Sequence, residues 1–211
     1  MASSDGHELL DAFFARERGF FLTGGAALAR FYLRHRRTED LDLFAPADGD
    51  IGRGEQALVE AASAIGASAS ALRASGDFKR YVGVRGEETT LVDLVIDRAP
   101  QIADKVSFGP IRVDTAREIA ANKLCALLDR VELRDLVDLR LLLAGGMKLE
   151  EVLADALQKH AGADPATLAW VLSSARFAPT APIPDGTSRE AIDGFRRDLV
   201  DALTRLALPD E

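Results

Sequence analysis

The stretch Asp40-Leu41-Asp42-Leu43-Phe44, DLDLF, with the pair Gly24-Gly25 upstream of it, decides the reading of the fold. Acids alternate with leucines at a period of two, so on an extended strand both carboxylates face one side and both leucines the other. Two like charges on one patch of strand repel unless a cation or a strong donor stands between them. Magnesium suits such a pair. It takes hard oxygen ligands, is commonly held by one or two carboxylates, and completes its shell with water and substrate phosphates.

Upstream, Phe20 to Leu22 reads as a short strand, and the glycine pair opens a helix through Ala26, Leu28, Phe31, Tyr32 and Leu33. Glycines between a strand and a helix permit a tight turn and a close backbone approach, and free N–H groups at a helix start suit phosphate. The order strand, glycine turn, helix, Asp-x-Asp strand therefore sets a phosphate cradle beside a magnesium site. Arg30, Arg34, Arg36 and Arg37 crowd in just before the acids, as a solvated helix end or as a patch for a polyanionic, metal-bound substrate.

Downstream, Ala45 to Gly54 reads as a loop, Glu55 to Ile65 as a helix, and Ser70 to Ala74, Arg80 to Val84 and Thr89 to Ile96 as strands. The last of these places Asp93 inside a run that looks buried on both faces, which is costly for a charge. Alone, Asp93 reads as one end of a salt bridge to an arginine. Beside Asp40 and Asp42 it reads as the third carboxylate of a two-metal site. Asp97, at the end of the same strand, is a weaker candidate.

From Thr115 helical periodicity takes over, predicting a helical run to Ala144 and helices at Leu149 to His160, Pro165 to Ser174 and Ser188 to Leu206. The expected class is α+β, with a catalytic α/β domain over residues 1–112 and a helical domain over 113–211 completing the cleft. On one continuous helix Lys123, Arg130 and Arg134 would form a line of cations at the edge of an apolar stripe. Lys123 is the expected nucleotide contact, and Arg130, Arg134, Asp135 and Asp138 the expected salt-bridge cluster.

Composition limits the alternatives. A 47% hydrophobic content with 28% charged residues predicts a globular core, and no stretch approaches the run of about 18 apolar residues that spans a membrane. The expected location is the cytoplasm. A net charge of −8 argues against coating nucleic acid through bulk electrostatics. The single cysteine, Cys125, reads as a core residue, and His7, His35 and His160 are too scattered for a zinc site.

Three blocks resemble the AbiEii-type nucleotidyltransferase-like toxins of the DNA polymerase β-like superfamily. They are LTGGAAL (Leu22 to Leu28) with RTEDLDLF (Arg37 to Phe44), LVDLV (Leu91 to Val95), and ANKLCALLDRVELRDLVDL (Ala121 to Leu139). The resemblance implies a polymerase β-like core that binds a nucleoside triphosphate (NTP) with Mg²⁺, two ions in all. Asp40 and Asp42 would be metal ligands, with Asp93 joining them and assisting the acceptor hydroxyl. Gly24, Gly25, Arg37, Thr38 and Lys123 would hold the nucleotide. It further implies nucleotide transfer to an acceptor such as the transfer RNA 3′ end, with pyrophosphate leaving, and a cognate antitoxin encoded nearby. Where relatives carry serine or threonine after one of the two glycines, this chain has Gly25 and Ala26, so a hydroxyl for a terminal phosphate is missing there. Two other expectations stay open: a kinase that moves the terminal phosphate, and a nucleotide-binding module without turnover.

Overall fold

The structure is a computed structural model that describes residues 4–38 and 40–208. These form two units, one made of residues 1–98 and 103–115 and the other of residues 99–102 and 116–211.

The first unit is built on a seven-stranded mixed sheet of order β3-β4-β5-β2-β1-β7-β6. Its strands are β1 (Phe21–Thr23), β2 (Asp40–Pro46), β3 (Ser68–Ser75), β4 (Phe78–Arg85), β5 (Glu88–Asp97), β6 (Val106–Phe108) and β7 (Ile111–Val113). β2 runs parallel to β5 and antiparallel to β1, which in turn runs parallel to β7. The alternation read from the sequence is realised in β2, where Leu41, Leu43 and Ala45 are buried and Asp40, Asp42 and Phe44 half-buried. On the leucine face, Leu41, Leu43, Val92 and Leu94 join the core with α1 (Ser4–Phe14) and α3 (Ile51–Ala64), which supply Leu10, Phe13, Phe14, Leu58 and Ala61. Burying one such leucine contributes roughly 1.5–3 kcal/mol, which holds the register of β2 against a one-residue slip that would exchange its faces.

Helix α3 starts inside the segment read as a loop, because the Asp50 carboxylate accepts from the backbone N–H groups of Gly52 (2.8 Å) and Arg53 (3.2 Å). Strands β4 and β5 form a hairpin whose closing pair is Arg85 and Glu88. Gly86, at φ +61°, takes the first of the two loop positions, as a type II′ turn requires. Helix α1 and the short β6–β7 hairpin were not anticipated from the sequence.

The second unit consists of α4 (Ala116–Asp129), α5 (Leu133–Ala144), α6 (Leu149–Lys159), α7 (Pro165–Ser174), a 3-10 turn (Pro184–Gly186) and α8 (Arg189–Ala207). Caps fall where the sequence puts them: Asp164 accepts from Thr167 N–H at 3.0 Å before Pro165, and Ser188 accepts from Ala191 N–H at 3.2 Å. The segment 99–102 belongs to this unit. Lys159 donates to the Pro100 carbonyl (2.8 Å) and pairs with buried Glu118, and Glu118 accepts from the Ile102 N–H (2.7 Å). The run expected to be continuous from 115 to 144 is broken at residues 130–132, with extended Glu132 standing before α5.

Candidate functional site

The register of four strands sets one polar row across the first unit's sheet. Thr23 of β1 stands opposite Asp42 of β2, Asp42 opposite Asp93 of β5, and Asp93 opposite Arg80 of β4. Asp40 lies two positions along β2 on the same face, opposite Leu91. In the other direction the next row is apolar, formed by Phe78, Val95, Phe44 and Phe21. The Phe21 and Phe44 rings lie 6.4 Å apart, and the Lys105 ammonium sits 4.1 Å above Phe21 while paired with buried Asp114. Three carboxylates thus share one sheet face, on a polar strip beside an aromatic one.

Both readings of Asp93 meet in this row. It is placed beside Asp42, and it also accepts two hydrogen bonds from Arg80, from Nε to Oδ1 (2.7 Å) and from Nη2 to Oδ2 (2.6 Å). The Asp93 side chain is 12% exposed and that of Arg80 44%. The Arg80 guanidinium is held far above its usual pKa, first by the hydrogen bonds to Asp93 and then, against partial desolvation, by the charges of Asp93, Asp40 and Asp42. Arg80 was not singled out from the sequence, although the hairpin contained the signal. A two-residue turn at Gly86 and Glu87 fixes every pair behind it, and the fifth pair back from Arg85 and Glu88 is Arg80 and Asp93.

Among the described residues no group of three or more histidine, cysteine, aspartate or glutamate side chains is arranged as a ready metal cage. Two carboxylates two residues apart on one strand face still fit magnesium, which needs only one or two from the protein. For Asp93 to join them, Arg80 must release it.

The glycine turn closes over the same acids. Gly24 has φ +64°, and a Cβ there would overlap Asp42 Oδ2, so only glycine brings the backbone this close to the carboxylate. A Cβ on Gly25 would instead meet the Arg36 guanidinium. The helix that follows is shorter than the periodicity predicts: α2 (Gly24–Ala27) has four residues and passes into a π-turn, Leu28–Tyr32. A strong helix dipole at the turn is therefore not available, and close backbone approach is what the glycines provide. Arg37 is exposed and Thr38 half-buried in the approach to β2. Among the described residues the buried hydroxyls of Thr23 and Thr38 have no hydrogen-bond partner.

Lys123, expected at a nucleotide, is 8% exposed and donates to Asp135 Oδ1 at 2.6 Å while lying 2.9 Å from Asp138 Oδ2. Burial alone would lower its pKa, but the two carboxylates outweigh it and the ammonium titrates above its usual range. Arg130 and Arg134 pair instead with Glu132, at 3.3 and 2.5 Å, in the break between α4 and α5. The expected cation row is thereby corrected, because a row needs one uninterrupted helix. Cys125 is half-buried and its thiol pKa is raised by burial, in keeping with a packing residue.

The chain is similar in structure to JHP933 from Helicobacter pylori, at 20% identity and a TM-score of 0.56, over 98% of this chain and 94% of that one. It is also similar to MenT4, a nucleotidyltransferase toxin from Mycobacterium tuberculosis H37Rv, at 19% identity and a TM-score of 0.65, over 98% of this chain and 87% of that one. Likeness at these identities establishes the fold alone, an α+β fold that the chain shares with both proteins. No curated protein matches the sequence. The family model described as "Nucleotidyl transferase AbiEii toxin, Type IV TA system" matches residues 8–208. With nearly the whole length matched, and with its acids and glycine turn assembled on one sheet face, the chain belongs to the AbiEii nucleotidyltransferase toxin family.

Proposed function

We propose that this toxin-family chain is a Mg²⁺-dependent nucleotidyltransferase that moves a nucleotide from an NTP to a hydroxyl, on the 3′ end of a transfer RNA or on a protein, with pyrophosphate leaving. The observation that carries the reading is the polar row, in which Asp42 and Asp93 stand side by side, Asp40 follows on the same face, and Gly24 packs against the Asp42 carboxylate. Asp40 and Asp42 would hold magnesium, and Asp93 would complete a second site. The bound metal would supply charge neutralisation for the triphosphate and for the oxygens at the reacting phosphorus.

The remaining work is positioning and electrostatics by the chain's own groups. Gly24 and Gly25 let the triphosphate approach the backbone, while Arg37 and Thr38 stand beside β2 to bind its oxygens. Asp93, once released by Arg80, accepts the proton of the attacking hydroxyl. Arg80 then remains close by as a cation for the leaving charge. Lys123 has a structural part in this reading, since its ammonium is committed to Asp135 and Asp138. A cognate antitoxin is the partner that family membership suggests.

The test is incubation with each NTP, labelled in parallel samples at the α- or the γ-phosphate, with Mg²⁺ and total RNA or protein extract. Label should move to an acceptor with the native chain and not with Asp42→Asn. No transfer under conditions that serve a relative refutes the reading, and transfer of γ-label alone makes the protein a kinase. One observation favours a second reading, a nucleotide-binding module without turnover: the bidentate Arg80–Asp93 pair leaves the third acid engaged. Triphosphate binding without transfer would establish that module.

A further inference from the structure

We infer that the Thr23 hydroxyl is a positioning contact for the triphosphate, filling the role of the hydroxyl that this chain lacks after its glycine pair. The inference rests on the nucleotidyltransferase reading above. Thr23 is 3% exposed, and its Oγ1 has no hydrogen-bond partner among the described residues. Buried hydroxyls are rarely left in that state, and one that is calls for an explanation.

Its position supplies the explanation. Thr23 is the N-cap of the glycine helix, where a threonine hydroxyl ordinarily accepts from a backbone N–H two or three residues on. No such bond forms here, the residue keeping φ −133° and ψ −167°. In register it stands opposite Asp42, on the same sheet face as the three acids and immediately before Gly24. A donor is thus held where a phosphoryl oxygen would rest if the triphosphate sat on the glycine turn with its cation on Asp42.

The side-chain chemistry suits that place. A lysine or arginine opposite Asp42 would pair with the carboxylate and compete with a metal ion. An unbranched apolar residue would offer no donor. A hydroxyl donates to a phosphoryl oxygen without bringing a second charge beside Asp42.

The test compares the native chain with Thr23→Val, which keeps the shape without the hydroxyl, and Thr23→Ser, which keeps the hydroxyl. Calorimetry with the four α,β-methylene ribonucleoside triphosphates and Mg²⁺ should show Thr23→Val binding about tenfold more weakly and Thr23→Ser close to native. In turnover, KM should rise with kcat little changed, and the melting point of Thr23→Val should match or exceed the native one. Equal binding by Thr23→Val and the native chain overturns the inference and leaves the nucleotidyltransferase reading standing. A fall in melting point that Thr23→Ser does not rescue makes the residue structural, which also overturns it. If the native chain binds none of the four analogues, both readings fall together.

Discussion

Replacing Lys123 by alanine should destabilise the helical unit rather than weaken triphosphate binding. The ammonium lies 2.6 Å from one Asp135 oxygen and 2.9 Å from one Asp138 oxygen, and the three side chains are 10%, 2% and 0% exposed. Without the lysine, two buried carboxylates three residues apart on α5 lose the ammonium they share. Removing one partner of a buried ion pair costs about 3–5 kcal/mol. At about 2–4 °C per kcal/mol for a chain of this size, the melting temperature should fall by roughly 6–20 °C. Thermal unfolding followed by circular dichroism reads this directly. The triple variant Lys123→Met, Asp135→Asn, Asp138→Asn should recover most of the loss, because a buried ionic cluster replaced by neutral groups of similar volume is often close to neutral in stability. A drop under about 2 °C for Lys123→Ala, with triphosphate affinity lost, would refute the structural assignment and return Lys123 to the nucleotide.

The acids of the polar row should behave in the opposite way: Asp42→Asn should cost under about 1 kcal/mol in urea unfolding while abolishing Mg²⁺-dependent triphosphate binding by calorimetry. Equal loss of fold and ligand would make the acid structural. Gly24→Ala should destabilise by roughly 1–2 kcal/mol from its left-handed backbone alone, with the overlap on Asp42 adding to that. Gly25→Ala meets the far end of the Arg36 side chain rather than backbone and keeps an ordinary φ, so it should cost less than Gly24→Ala, and equal melting points for the two variants would contradict the turn as described. Tyr32 and Tyr81 both have pKa values raised chiefly by burial, with the charge of Asp114 and the contact with Glu55 adding respectively. Their stabilising contribution is complete below the unfolded-state value of about 10 and is lost as pH rises above it. The 295 nm absorbance of the native protein should accordingly show its tyrosinate step displaced above pH 10, and a normal step at pH 10 would mean that neither ring is held as described.

The parts of the site that were legible in the sequence are those encoded by short periods. The two-residue alternation of β2 gives the shared face of Asp40 and Asp42, and a lone acid in a β-branched run marks Asp93. What stayed hidden depended on pairing between distant segments or on one-turn changes of helix type. Arg80 becomes part of the site only through the hairpin register, and Thr23 only through the antiparallel pairing of β1 with β2. The π-turn after Ala27 carries an ordinary apolar helical pattern, so periodicity extends the helix past the point where its hydrogen bonding changes. The break at residues 130–132 was equally invisible, since Val131 and Leu133 continue the apolar stripe across it. β6 and β7 are three residues each, too short for any alternation to register.

The excursion of residues 99–102 bears on how this protein can be dissected. The polypeptide enters the helical unit for four residues, returns to the sheet for β6 and β7, and leaves again at Ala116. A cut after Arg98 strips β1 of its parallel neighbour, and a cut after Thr115 deprives Lys159 and Glu118 of the tetrapeptide they grip. The halves are stitched as well as joined, so no single recombination event can lend either one to another protein without a loose end.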